Sequence, residues 1–175
     1  MITIVSENEH KTERIGRCFA KTAPSRCLVF LKGTLGAGKT AFARGVARGL
    51  GVERNVSSPT FTLVNEYQGQ RGDLIHMDLY RLLDQPAEEL GLEEYFQRPG
   101  ICLVEWPDVL EGWECPDVTI SIEQTGLEQR TFFILAEEEL EQQLQEAFAC
   151  DRPASCIACS ISACIFWLCV CPSSK

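Results

Sequence analysis

Apolar and polar positions follow two different periods along this chain, and the switches between them mark its elements. "CLVFLKG" is a short continuous apolar run, which predicts a buried strand. Over Lys39 to Leu50, residues Phe42, Ala43, Val46, Ala47 and Leu50 fall on one helical face, and Gly51 supplies a stop. "FTLVNEY" and "LIHMDLY" flank "QGQRGD", which predicts a hairpin with a glycine-containing loop. "DQPAEELGLEEYF" predicts helix broken at Gly91, and "ICLVEW" predicts another buried strand. "DVTISIE" alternates cleanly and can pair with "RTFFILA" across "QTGLEQ". "EEELEQQLQEAF" sets Leu140, Leu144, Ala147 and Phe148 in helical register, with acids at the positive N-terminal end. Helix-flanked strands together with hairpins predict an α/β domain with a mixed central sheet, and no internal repeat is visible.

Composition narrows the function. A chain of 175 residues with 45% apolar content suits one α/β domain with a real core. Sixteen Lys and Arg against 25 Asp and Glu give a net charge of -9, which opposes non-specific attraction to a phosphate backbone. DNA is therefore not an expected ligand, and RNA is expected only through a partner. The N-terminus "MITIVSENEHKTERIG" shows no basic segment followed by a long apolar one, so the expectation is a cytoplasmic protein.

The ten cysteines are distributed unevenly. Cys18, Cys27, Cys102 and Cys115 read as small core residues, whereas six more crowd between Cys150 and Cys171. The apolar stretch Ile157 to Cys171 falls short of the roughly 20 residues that a membrane span needs. Cys156-x2-Cys159 is half of a zinc pattern, which Cys169-x-Cys171 does not complete. The expected division is a domain over residues 1–149 and an extraneous or poorly ordered Cys-rich appendage over 150–175.

The strongest chemical signal is "GTLGAGKT", which reads Gly33-x4-Gly38-Lys39-Thr40 between the first predicted strand and helix. Glycines and Ala37 keep side chains away from the backbone amides of Gly36 to Thr40, which can then face one anion. The helix N-terminus adds partial positive charge, Lys39 can bridge the β- and γ-phosphates, and the Thr40 hydroxyl can take one position on Mg2+. A magnesium-bound triphosphate also needs an acid at the C-terminal end of a buried strand. Asp78 after "LIHM" and Glu105 after "ICLV" both qualify. Between them and the loop, "SSPTF" offers hydroxyls at Ser57, Ser58 and Thr60, a segment that could close on the γ-phosphate as a switch. His76 is expected to be a packed or hydrogen-bonded strand histidine, and Trp106 either walls the pocket or caps the core.

"GTLGAGKTAFARG", "VSSPTFTLVNEY", "HMDLYRL" and "ICLVEWP" resemble, in order and spacing, the motifs of the TsaE (YjeE) family, over about residues 1 to 148. The resemblance implies a P-loop NTPase-like three-layer domain, weak ATP hydrolysis, and work within a complex of TsaD and TsaB that makes threonylcarbamoyladenosine in tRNA. By that resemblance, Gly33 and the stretch Leu35, Gly36, Ala37, Gly38, Lys39, Thr40 and Ala41 bind the nucleotide. Thr40 and Glu105 serve Mg2+; Lys39, Asp78 and Glu105 carry the ATPase. Thr60 belongs to the switch-like segment, while Thr12 and Arg130 make further nucleotide contacts. The family usually has Asp where this chain has Thr34, and a second Thr where it has Ala41. The loss at Ala41 removes one hydroxyl from the α-phosphate but keeps its backbone N–H.

Two rival functions share the loop. A small-metabolite P-loop kinase would need an arginine-bearing lid over the phosphates, and no such insertion is evident. A non-catalytic module would use ATP only to set the shape shown to a partner.

Overall fold

The computed structural model describes residues 1–150; the Cys-rich stretch after Cys150, and with it the appendage expectation, lies outside the described residues. Seven strands form one mixed sheet: β1 (Ile2–Ser6), β2 (Arg26–Lys32), β3 (Val64–Tyr67), β4 (Leu74–Asp78), β5 (Gly100–Glu105), β6 (Val118–Gln124) and β7 (Arg130–Ala136). Their spatial order is β1-β7-β6-β2-β5-β4-β3. β2 runs parallel to both β5 and β6, and β5 runs parallel to β4. The two hairpins, β3–β4 and β6–β7, and the β1–β7 pair are antiparallel. The parallel strands therefore form the centre, and the antiparallel pairs form its two flanks.

Strand alternation divides the core. Cys27, Val29 and Leu31 of β2 enter one apolar cluster, while Leu28 and Phe30 enter the other. On the first face lie α1 (Glu9–Thr22), α2 (Lys39–Leu50) and α4 (Glu138–Cys150), which supply Phe19, Phe42 and Leu144. The second face is covered by shorter pieces: 3-10 turns at Tyr80–Leu82, Ala87–Glu89 and Pro107–Leu110, and α3 (Glu93–Gln97). Gly91, at φ +62°, breaks the acidic segment where the sequence places the break, but what precedes it is a 3-10 turn.

The first 22 residues hold elements that the pattern left unassigned, β1 and α1. Asn8 caps α1 by accepting the Lys11 amide at 2.8 Å, a side-chain cap that local periodicity does not advertise. α2 spans Lys39 to Leu50 as expected, with Gly51 in the left-handed conformation ending it. The cysteine expectation is corrected in part: Cys27 and Cys102 are core, but Cys115 is exposed and Cys18 only half-buried. Cys115 sits beside Pro116 in the connection leading to β6, where the chain runs along the surface. Among the described residues no helix is long and apolar enough to cross a membrane.

Candidate functional site

The site forms where the parallel strands end. β2 runs straight into the glycine loop, and β5 lies between β2 and β4. Register places Asp78 of β4 directly beside Glu105 of β5, and Glu105 beside Leu31 of β2, one residue before the chain turns out at Lys32 and Gly33. The crevice beyond the carboxyl ends of parallel strands is where α/β sheets bind ligands, because loop backbone and helix N-termini converge there.

The loop's shape depends on its glycines. Gly33 has φ +150°, and a Cβ there would sit 2.7 Å from the Ile122 carbonyl oxygen, so only glycine passes β6 at this point. Gly38, at φ +107°, is the N-cap of α2, and its carbonyl accepts the Phe42 amide at 3.0 Å. Ala37 donates its amide back to Thr34 O at 3.1 Å, so one of the amides assigned to the anion closes the loop's own turn.

Lys39 is nearly inaccessible, at 5% exposure. Its Nζ donates to Gly33 O at 2.7 Å and Thr34 O at 3.1 Å, lies 4.0 Å from Glu105 Oε2, and stands 4.3 Å from the centre of the Trp106 ring. Burial pulls its pKa below the ordinary lysine value, a shift that the charges of Glu105 and Asp78 partly oppose. Two carbonyls and a carboxylate thus hold a cation where a polyphosphate would offer better acceptors.

The two acids have different company. Asp78 Oδ1 accepts the Tyr80 amide at 3.1 Å, and Oδ2 accepts the hydroxyls of Thr60 at 3.1 Å and Ser58 at 3.4 Å. Glu105 Oε1 lies 2.8 Å from His76 Nε2, and Oε2 faces Lys39. All three titratable strand residues are buried. Trp106 follows at φ +57° and packs against Tyr80 with ring centres 5.0 Å apart, so it walls the pocket.

A cavity of about 720 Å³ gathers nearly every predicted site residue: Thr12, Leu35, Gly36, Ala37, Gly38, Lys39, Thr40, Ala41, Thr60, Asp78, Glu105 and Arg130. Gly33 is the exception, standing behind the wall and shaping it against β6. Thr12 reaches the cavity on α1, with its hydroxyl 2.9 Å from Ser6 Oγ. The sequence reading missed Asn8, Glu9, His10 and Arg44, which line the same cavity because α1 packs across the first turns of α2. For Asn8, Glu9 and His10, the polar start of α1 was the signal. It also missed that Arg130 grips the loop itself, donating from Nε to Ala37 O at 3.0 Å.

Residues 6–132 match the family model described as threonylcarbamoyl adenosine biosynthesis protein TsaE. The chain belongs to the TsaE family. It is similar to the TsaE protein of Bacillus subtilis, 47% identical over 104 residues that make up 59% of this chain and 65% of the relative. It is also similar to TsaE of Haemophilus influenzae, 35% identical across 81% of this chain and 94% of that protein. In three dimensions it resembles the crystal structure of Bacillus subtilis YdiB, with a TM-score of 0.71 at 35% identity, covering 86% of this chain and 96% of YdiB. The TsaE match begins at Ser6, before the glycine loop, and ends at Phe132, just past Arg130, so it takes in the whole cavity lining and every predicted site residue.

Proposed function

We propose that this TsaE protein is a Mg2+-dependent ATPase of tRNA threonylcarbamoyladenosine biosynthesis, working by ATP binding and hydrolysis in a complex with TsaD and TsaB and meeting tRNA only through them. The observation that carries this reading is the convergence of Lys39, Thr40, Asp78 and Glu105 on one cavity at the carboxyl ends of β2, β4 and β5. The names of its relatives support the pathway.

The residues fit a magnesium-bound triphosphate. Among the described residues no group of three or more His, Cys, Asp or Glu could hold a metal by itself. Mg2+ is commonly held by one or two protein oxygens and completed by phosphates and water. Thr40 Oγ1 and the Glu105 carboxylate are the hard oxygen donors we assign to it. When bound, Mg2+ supplies neutralisation of charge on the β- and γ-phosphates. With a triphosphate bound, Lys39 would exchange the carbonyls of Gly33 and Thr34 for phosphate oxygens, and the loop amides would donate to the anion. Asp78, whose Oδ2 is shared by Ser58 and Thr60, ties the segment 57–60 to the site, and its task in this reading is to orient the attacking water. Occupancy of the cavity thereby reaches a surface loop, which is how hydrolysis would reset a bound partner.

ATP turnover measured with and without purified TsaB and TsaD tests this, with Lys39→Ala as the null enzyme. Strong stimulation by the partners is expected, and ADP release in step with a phosphorylated small metabolite would overturn it in favour of a kinase. Between the acids, Glu105→Ala should lose the Mg2+ dependence of nucleotide binding while Asp78→Ala keeps it and loses turnover.

A further inference from the structure

His76 is the one buried titratable residue beside the site that the ATPase reading leaves without a task. It lies in the middle of β4 with no exposed surface. Nε2 is 2.8 Å from Glu105 Oε1, while Nδ1 is buried without a hydrogen-bond partner among the described residues. A neutral imidazole carries one N–H and one bare nitrogen. A proton on Nδ1 would strand a donor in the core and set the Nε2 lone pair against a carboxylate oxygen. A proton on Nε2 satisfies the donor with a charge-assisted bond and leaves only a lone pair unmatched, which is the smaller cost.

We infer that His76 is the positioning residue for Glu105: its Nε2–H holds Oε1 on the strand side, so that Oε2 is the oxygen presented to the cavity. This rests on the assignment of Glu105 to the divalent cation. Oε2 is the atom 4.0 Å from Lys39 Nζ, so the geometry already separates the two oxygens into an anchored and a presented one. A carboxylate without that anchor samples several rotamers, and only some of them face the phosphates. His76 acts through Glu105 and touches no reacting atom.

The test compares His76→Leu, which removes the donor, with His76→Gln, whose side-chain amide can reach the place of Nε2. Affinity for a non-hydrolysable ATP analogue is measured by calorimetry across a Mg2+ series and in EDTA, with thermal melting to show that each variant folds. His76→Leu should raise the Mg2+ concentration needed for half-maximal tightening by about 10- to 100-fold while leaving the EDTA affinity nearly unchanged, and His76→Gln should restore most of the loss. Rescue by glutamine is the part that a purely structural histidine would not produce. An unchanged Mg2+ requirement in His76→Leu, where Glu105→Ala shifts it, overturns the role of His76 alone. If Glu105→Ala does not shift it either, the metal assignment falls and this role falls with it. Should His76→Leu fail to fold, ring nitrogen shifts of the intact protein decide. It has only two histidines, and His10 is exposed. The Nε2–H tautomer at His76 supports the proposal, and the Nδ1–H tautomer overturns it.

Discussion

The guanidinium of Arg130 reaches across 93 positions of sequence to donate its Nε–H to the carbonyl of Ala37, at 3.0 Å. A second nitrogen lies 3.4 Å from Gly36 O, and Nη1 donates to Gln129 O at 2.9 Å. One planar cation therefore staples the start of β7 to the glycine loop, and its stem lies 3.9 Å from where a Cβ on Gly38 would be. Arg130→Ala should leave the loop without this brace. Hydrogen bonds from a charged donor are worth roughly 1.5–3 kcal/mol, so nucleotide affinity should fall by about tenfold or more. Arg130→Lys should not restore it, because a point charge cannot span several carbonyls as the fork does. Calorimetry gives the affinity, and faster amide exchange at residues 36–38 would locate the loss in the loop; unchanged exchange would contradict the brace.

Thr60 offers a separate handle on the switch. Its hydroxyl bonds Asp78 Oδ2 at 3.1 Å and meets Ser58 Oγ at 2.8 Å, while neither residue belongs to a strand or helix. Thr60→Val keeps the shape and removes the bond. Nucleotide affinity should change by no more than about fivefold, since one partly buried hydrogen bond nets roughly 1 kcal/mol or less. Partner-stimulated turnover should drop much further, because the segment no longer follows Asp78. Equal losses in affinity and turnover would mean that Thr60 only binds.

Two buried thiols should make stability fall at alkaline pH. Burial pushes Cys27 from 9.0 up to about 12, with the Asp117 charge adding to it and Arg26 opposing. Burial likewise raises Cys102 from 9.0 to about 12, with Cys27 adding and Arg98 opposing. Between those values the unfolded chain gives up thiol protons that the folded chain keeps. Stability is thus whole below pH 9 and falls as pH rises toward 12, by up to about 1.4 kcal/mol per pH unit for each thiol. Urea melts under reductant at pH 8, 9 and 10 should show this slope, and Cys27→Ala with Cys102→Ala should flatten it even though the cavities lower stability at every pH.

What the sequence made legible follows from how local each signal is. The loop from Gly33 to Thr40, its strand and its helix are contiguous, so local pattern alone locates them, and the structure has the strand and helix where that pattern puts them. Asp78 and Glu105 were readable as strand-end acids, but not their pairing, which depends on β4 and β5 being register neighbours. Nor could periodicity show that Asp78 is held by hydroxyls while Glu105 is held by His76, since both bonds cross between segments. α1 was missed because its buried positions, Thr12, Ile15, Gly16, Phe19 and Ala20, include a threonine and a glycine that do not register as apolar.

That glycine marks how closely α1 and α2 approach, and its counterpart Gly45 permits the last prediction. A Cβ on Gly45 would lie 2.1 Å from Glu13 O, and one on Gly16 would lie 2.3 Å from Phe42 O. Both obstacles are helix backbone, which cannot rotate aside. In an isolated helix Gly→Ala gains roughly 0.5–1 kcal/mol from backbone entropy, so propensity alone predicts that Gly45→Ala stabilises. Overpacking costs typically about 1–3 kcal/mol and more where backbones must part, so here the steric term wins and Gly45→Ala should destabilise. Moving α1 also moves Thr12, which lines the cavity, so nucleotide affinity should fall with stability. Because Gly16→Ala opens the same gap, the double variant should lose less than the two single losses added together. Chemical denaturation of the three proteins measures all of this, and a Gly45→Ala variant as stable as the parent would show that the helices can separate without cost.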